Sequence, residues 1–193
     1  MSNIKIISTL GPSSLNKKFL KFSSNKINLL RLNLSHLSIN KLINNIKFIK
    51  KNSSIPICID TEGAQIRTKV KKEVFYSMDK KVKIFKSKGN FCLYPNNVFS
   101  QLKKNDILNI GFSDLKLKIL SIKDSILCKV IRSGVLENNK GVHLENRSIK
   151  LNFLTKKDYE GIRIGKKYKI NYFALSFTNS ANDIIKFNKL LKK

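Results

Sequence analysis

Arg31-Leu32-Asn33-Leu34-Ser35-His36 and Asp60-Thr61-Glu62-Gly63-Ala64-Gln65-Ile66-Arg67 decide how this chain is read. Each stands at the carboxyl end of an apolar run that reads as a buried strand. Leu30, Leu32 and Leu34 alternate with Arg31, Asn33 and Ser35, so the leucines face one way and the polar groups the other. Polar side chains on the inward face at the end of a parallel strand are costly for packing but suit a site. Asn33, Ser35, Asp60 and Thr61 bring only oxygen donors, which hard cations prefer. Arg31 and Arg67 offer forked donors that match phosphate oxygens. The two segments outline a site for a cation and a phosphate.

Working outward, the first third of the chain alternates strand and helix. Ile4 to Leu10 is strand one, and Ser13 or Ser14 caps a helix carrying Leu15, Phe19 and Phe22. Ile27 to Ser35 is strand two. Ser38 caps an amphipathic helix with Ile39, Leu42, Ile43, Ile46 and Ile49 on one face. Ile55 to Asp60, led in by Pro56, is strand three. This βαβαβ order implies a parallel sheet.

From Lys69 to Ile149 the pattern changes to short segments rich in β-formers. They are Val74–Tyr76, Val82–Phe85, Phe91–Tyr94, Ile107–Phe112, Leu115–Ile122 and Ile126–Ile131, with turns at Gly89-Asn90, Lys123-Asp124-Ser125 and Asn138-Asn139. An inserted all-β domain over 69–149 is expected, flanked by 1–68 and 150–193. Thr155 with Asp158 then makes a capping-box start for a helix ending near Gly165. Tyr172 to Phe177 is strand four, and Ser180 with Asp183 opens a last helix bearing Ile184, Phe187 and Leu191.

In this setting six segments, taken in order, resemble motifs of the pyruvate kinase family, which moves a phosphoryl group from phosphoenolpyruvate to ADP. They are Lys5 to Ser14, Arg31 to His36, Asp60-Thr61 with Arg67, Lys140-Gly141-Val142, Leu154-Thr155-Lys156-Lys157-Asp158 and Phe173-Ala174-Leu175-Ser176-Phe177. The resemblance covers essentially the whole chain but only the amino-terminal part of the family. It implies an α/β fold: a partial TIM (βα) barrel of about four βα units, where the family has eight, with an inserted small β-barrel domain that closes over the active site as a lid. An uncovered half barrel predicts self-association or a complementing chain.

The same resemblance assigns roles. Asn33, Ser35, Asp60 and Thr61 match the potassium ligands, Thr61 through its backbone carbonyl. Arg31 matches the catalytic arginine that approaches the transferred phosphoryl group; His36, Arg67 and Lys140 match positions meeting nucleotide phosphates, and Ser176 lies where substrate-proximal groups stand. Plainer readings stay open. Asn33 and Ser35 can cap the strand end while Asp60 pairs with Arg31, His36 can bond backbone, Ser176 can fill a barrel layer, and Lys140 can match by chance in a lysine-rich chain.

Departures from the family are equally specific. Glu62, Ala64 and Gln65 stand where the family has a basic residue, a proline and a glutamate. Gly111-Phe112-Ser113 replaces an Asp-Asp-Gly turn in the lid, and Asn179 stands where an arginine is common. The family's catalytic lysine, the Glu and Asp that hold its divalent metal, and a threonine near the proton transfer fall beyond residue 193. The resemblance therefore implies K+ as a cofactor of this chain and Mg2+ as one whose ligands are not in it. Phosphoenolpyruvate or a related phosphometabolite and ADP or ATP are the implied partners. Acting alone, the chain is expected to be a poor kinase, because in-line transfer relies on the missing metal and lysine. The alternative is a non-catalytic binding module or partner subunit.

Composition adds one tension. Against 39 Lys+Arg stand 12 Asp+Glu, a formal charge of +27, which attracts polyanions. The excess is nearly all lysine, scattered over every predicted element without aromatic platforms, as an AT-rich genome would produce. Salt-sensitive adhesion is expected, and specific nucleic-acid binding is not. Cys58, Cys92 and Cys128 lack metal spacing and read as reduced thiols. The chain shows no secretory leader and no apolar run near the ~18 residues of a membrane span, so a soluble cytoplasmic protein is expected. There is no Gly-rich phosphate loop ending in Gly-Lys-Ser/Thr. His36 and His143 fall in different predicted domains, which disfavours a histidine metal site.

Overall fold

Short parallel strands alternating with helices open the chain, as the apolar spacing requires. The computed structural model describes residues 4–111, 115–145 and 147–192. The chain divides into two compact units, Met1–Ala64 with Asn152–Lys193, and Gln65–Leu151.

In the first unit β1 (Ile7–Thr9) leads to α1 (Lys17–Ser23), β2 (Leu29–Asn33), α2 (Ile39–Asn52) and β3 (Ile57–Asp60). The cap of α1 is Asn16, whose side chain accepts from the Phe19 amide at 2.9 Å. Neither Ser13 nor Ser14 serves, because the Ser14 hydroxyl closes the preceding turn by accepting the Gly11 amide at 2.9 Å. Phe22 leaves the expected apolar face, lying 63% exposed beneath the Lys26 ammonium. Ser38 does cap α2, and Leu42, Ile46 and Ile49 are fully buried. Strand two is shorter than its alternation suggested. After Asn33 the chain makes one turn of 3-10 helix, Leu34–His36, so Leu34 and Ser35 are both buried instead of facing opposite ways.

The second unit follows with β4 (Ile66–Val70), β5 (Val74–Tyr76), β6 (Lys81–Phe85), β7 (Phe91–Tyr94), β8 (Ile107–Ile110), β9 (Leu115–Ile122), β10 (Ser125–Arg132), β11 (Gly134–Leu136) and β12 (Gly141–Leu144). Seven of these close into a barrel in the order β10-β6-β7-β4-β12-β8-β9, and β11 pairs with β5. Period-two alternation fills its interior: Leu115, Leu117 and Ile119 from β9 meet Ile126, Cys128 and Val130 from β10. Asp106 is 3% exposed and takes a two-pronged grip from Arg147, Nε to Oδ1 at 2.9 Å and Nη2 to Oδ2 at 2.6 Å. The expected extension of β8 to Phe112, and the Phe112-Ser113 part of the altered turn, lie outside the described residues.

Returning to the first unit, α3 (Lys156–Lys167), β13 (Tyr172–Ala174) and α4 (Ala181–Lys192) complete it. The Thr155–Asp158 capping box is formed. Strand four ends at Ala174, short of Phe177, which turns at φ 54°. The sheet runs β1-β2-β3-β13, all parallel. One face carries Leu30, Leu32, Ile57 and Ile59, packed with Leu20, Leu42, Ile46, Ile49 and Ile164 from the helices. Phe187 of α4 meets Phe173 edge to face at 6.4 Å. No helix among the described residues is long and apolar enough to cross a membrane.

Candidate functional site

The other face of the parallel sheet carries the polar residues. Register sets Arg31 beside Cys58 and Asn33 beside Asp60 across β2 and β3, and Ala174 beside Asp60 across β3 and β13. Partners in a parallel ladder point to the same side, so Arg31, Asn33 and Asp60 share one face at the carboxyl ends of their strands.

Asp60 is the hub. It is 4% exposed, its Oδ1 accepts the Ser176 hydroxyl at 2.7 Å, and its Oδ2 lies 3.4 Å from Arg31 Nη2. Thr61 is knitted to the same neighbour: its amide donates to the Ala174 carbonyl at 3.0 Å and its hydroxyl accepts the Ser176 amide at 2.9 Å. Asn33 Oδ1 accepts the Ser35 amide at 2.8 Å, capping the 3-10 turn. Arg31 remains partly open to solvent, and its Nε is buried without a hydrogen-bond partner. The solvent-open part of the guanidinium fork is where an incoming anion would bond. Burial, and then the Asp60 charge, push the Cys58 thiol above its ordinary value, which keeps it a neutral wall residue.

His36 is exposed on the turn after β2. Arg67 and Lys140 belong to the barrel unit, where the β4–β12 ladder brings them near one another, Arg67 in register with Gly141. Arg67 Nη1 donates to the Asn139 carbonyl at 3.0 Å, and Lys140 Nζ pairs with Glu137 at 2.9 Å.

Three residues carry more than their sequence context revealed. Glu62 is 8% exposed, with Oε2 at 3.4 Å from both Lys157 Nζ and the Thr155 hydroxyl, so its charge is matched locally. Gly63 sits at φ 70°, where a Cβ would come within 2.2 Å of the Ser176 carbonyl oxygen. Asp158, fully buried, accepts the Glu62 and Gly63 amides at 2.6 and 3.1 Å as well as capping α3. The capping-box spacing signalled Asp158, but nothing local signalled its link to a loop 95 residues earlier.

The donor set has a charge as well as a shape. Asn33, Ser35, Asp60 and Thr61 present one carboxylate among neutral oxygens, which fits a monovalent ion of oxygen-loving character. A divalent cage is not met by these side chains: Glu62 and Asp158 are committed elsewhere, and no group of three or more His, Cys, Asp or Glu suited to a metal ion occurs among the described residues.

The chain is 27% identical, over all of its length, to pyruvate kinases of Staphylococcus aureus strains USA300 and NCTC 8325, and spans 36% of those enzymes. A crystal structure of Cryptosporidium parvum pyruvate kinase superposes on 96% of the chain with a TM-score of 0.88 at 24% identity, the chain covering 42% of that protein. The chain therefore spans little more than a third of the length of the curated relatives it matches. The sequence profile described as "Pyruvate kinase, barrel domain" matches residues 1–193 from end to end, and the chain belongs to the pyruvate kinase family.

Proposed function

We propose that this chain supplies the potassium and phosphoryl half of a pyruvate kinase-type phosphotransferase, binding phosphoenolpyruvate or a related phosphometabolite in a cytoplasmic setting. Its parallel sheet is a partial (βα) barrel of about four units, and the domain over 69–149 is the family's lid. One observation carries the reading: Asn33 and Asp60 are register partners, Arg31 stands on the same face two residues before Asn33, and its guanidinium is partly open to solvent beside Asp60.

In this reading Asn33, Ser35 and Asp60 side chains and the Thr61 carbonyl hold K+. A potassium ion held by these residues would supply positive charge near Arg31, and the Arg31 guanidinium would bind the phosphoryl oxygens in that field. Asp60 holds the Arg31 guanidinium from one side and leaves its solvent-open part for the ligand, while Ser176 fixes the Asp60 carboxylate. Arg67, Lys140 and His36 are the proposed contacts to ADP or ATP phosphates. Mg2+, expected for the family, is not held by these residues, and the family's catalytic lysine has no counterpart here. These 193 residues are therefore proposed to bind without efficient turnover.

A coupled assay with phosphoenolpyruvate, ADP, Mg2+ and K+ tests the incompleteness. The chain alone should run at least ~100-fold below a complete enzyme, since removing even one stabilising contact costs on the order of that factor. Family-like turnover by the purified chain would contradict it.

A second reading, polyanion binding, has its own observation. On the outside of the barrel Lys81, Lys129 and Lys118 lie in register across β6, β10 and β9, and among the described residues Lys129 pairs with Asp79 at 2.7 Å. Like charges directly opposite one another destabilise a sheet, and an anionic chain would relieve them. This reading predicts oligonucleotide binding that weakens steeply with salt and is untouched by Arg31→Ala.

A further inference from the structure

We propose that Asp158 is the positioning residue of the cation and phosphate site, an inference that rests on the reading of Asp60 and Thr61 given above. A helix cap needs little from a carboxylate: one backbone N–H at the start of the helix suffices. Asp158 does more. It is fully buried, and its two oxygens take four donors: the Glu62 amide at 2.6 Å, the Gly63 amide at 3.1 Å, the Thr155 amide at 2.8 Å and the Thr155 hydroxyl at 3.0 Å. Two of the four come from the loop that leaves β3 directly after Asp60 and Thr61.

That loop is then closed from its other side. Gly63 lies against the Ser176 carbonyl with no room for a side chain, and Ser176 returns its amide to the Thr61 hydroxyl and its own hydroxyl to Asp60. The result is a ring of contacts running Asp158, Glu62–Gly63, Ser176 and Asp60–Thr61. Consecutive amides aimed at one buried carboxylate fix the direction of the chain leaving Thr61, and with it the direction of the Thr61 carbonyl. Asp158 acts on the ion only through this backbone, as the outer partners of metal ligands do elsewhere. The Ser38 hydroxyl offers a control, because it caps α2 by accepting the Lys41 amide at 3.3 Å and belongs to none of these contacts.

The test is a K+ titration of the whole chain at constant ionic strength, balanced with tetramethylammonium chloride, read by backbone amide shifts of Thr61, Glu62 and Gly63. In the unmodified chain the three should move with one midpoint. Asp158→Asn should raise that midpoint about 10-fold or more, with helix content unchanged, while Ser38→Ala, which removes the cap of α2, lowers thermal stability and leaves the midpoint where it was. An unchanged midpoint in Asp158→Asn overturns the proposal. Should that variant not fold, the unmodified chain decides: Glu62 and Gly63 amides that titrate with Thr61 support it, and silent ones overturn it. Asp60→Asn separates the two claims. If the unmodified chain ignores K+, or if Asp60→Asn leaves the midpoint intact, the site reading fails and this proposal with it. If Asp60→Asn abolishes the response and Asp158→Asn does not alter it, only the role of Asp158 is lost.

Discussion

Two buried carboxylates, Asp106 in the barrel unit and Asp60 in the parallel unit, are paired in different ways. In the barrel, the buried carboxylate Asp106 is matched in full, by Arg147 and by the Lys103 amide at 2.8 Å, and nothing is left for a ligand. In the parallel unit Asp60 is buried almost as deeply, yet its cation, Arg31, stands 3.4 Å away, partly open to solvent and with one N–H unpartnered. A closed pair is a structural pin, and an open pair is a place for something else. The contrast is the physical core of the functional reading, and substitutions can break it or sharpen it.

The largest effect belongs to the pin. Asp106→Ala leaves the Arg147 guanidinium without its buried partner, and such a loss costs about 3–5 kcal/mol. Chemical denaturation should show the barrel unit weakened by that amount. The pH dependence has a definite sign. Burial raises the Asp106 carboxyl, but the Arg147 hydrogen bond, the Lys103 amide and the nearby charges outweigh it, and the net direction is below the ordinary value of 3.8. A depressed carboxyl contributes stability above the unfolded-state value that is lost as pH falls through the folded one. Stability of the barrel unit should therefore drop on acidification below that ordinary value, and Arg147→Met should flatten the response.

Next comes Gly63→Ala in the parallel unit. A positive φ costs a side chain about 1–3 kcal/mol, and a forced contact in a packed region about as much again. Amide exchange should report loosening around β3 and β13 while the barrel core stays protected. The smallest effect is on the barrel surface. Lys118→Gln removes one charge from the in-register row and should raise stability by about 0.2–1 kcal/mol in low salt, a gain that vanishes as salt screens the row.

How much of this was legible beforehand follows from the same contrast. Strands β5, β7 and β9 could be read to the residue, β9 because apolar and polar positions alternate from Leu115 to Ile119, β5 and β7 because each is a short unbroken run of β-formers. β4 was hidden because its inward position is a threonine. Thr68 is 3% exposed, donates to the Glu137 carbonyl and accepts the Lys140 amide, so a polar residue does a core residue's work. β11 and β12 are short and begin with glycine, which carries no pattern. In the parallel unit the leucine alternation located β2 but overran it, since Leu34 reads equally well as strand or as the start of a buried turn. The side-by-side placement of Asn33 and Asp60 followed from strand order and motif spacing. The ring through Asp158, Gly63 and Ser176 did not, because its links span up to 116 residues and leave no local periodicity.

One measurement bears most directly on the open pair. Calorimetric titration of phosphoenolpyruvate into the chain, with K+ and then with tetramethylammonium at equal ionic strength, should show binding that requires K+. That binding should be lost in Arg31→Ala while the folded structure persists. Binding that ignores the cation, or that survives Arg31→Ala undiminished, would show that Asp60 and Arg31 form a structural pin like the one in the barrel, and that the site lies elsewhere.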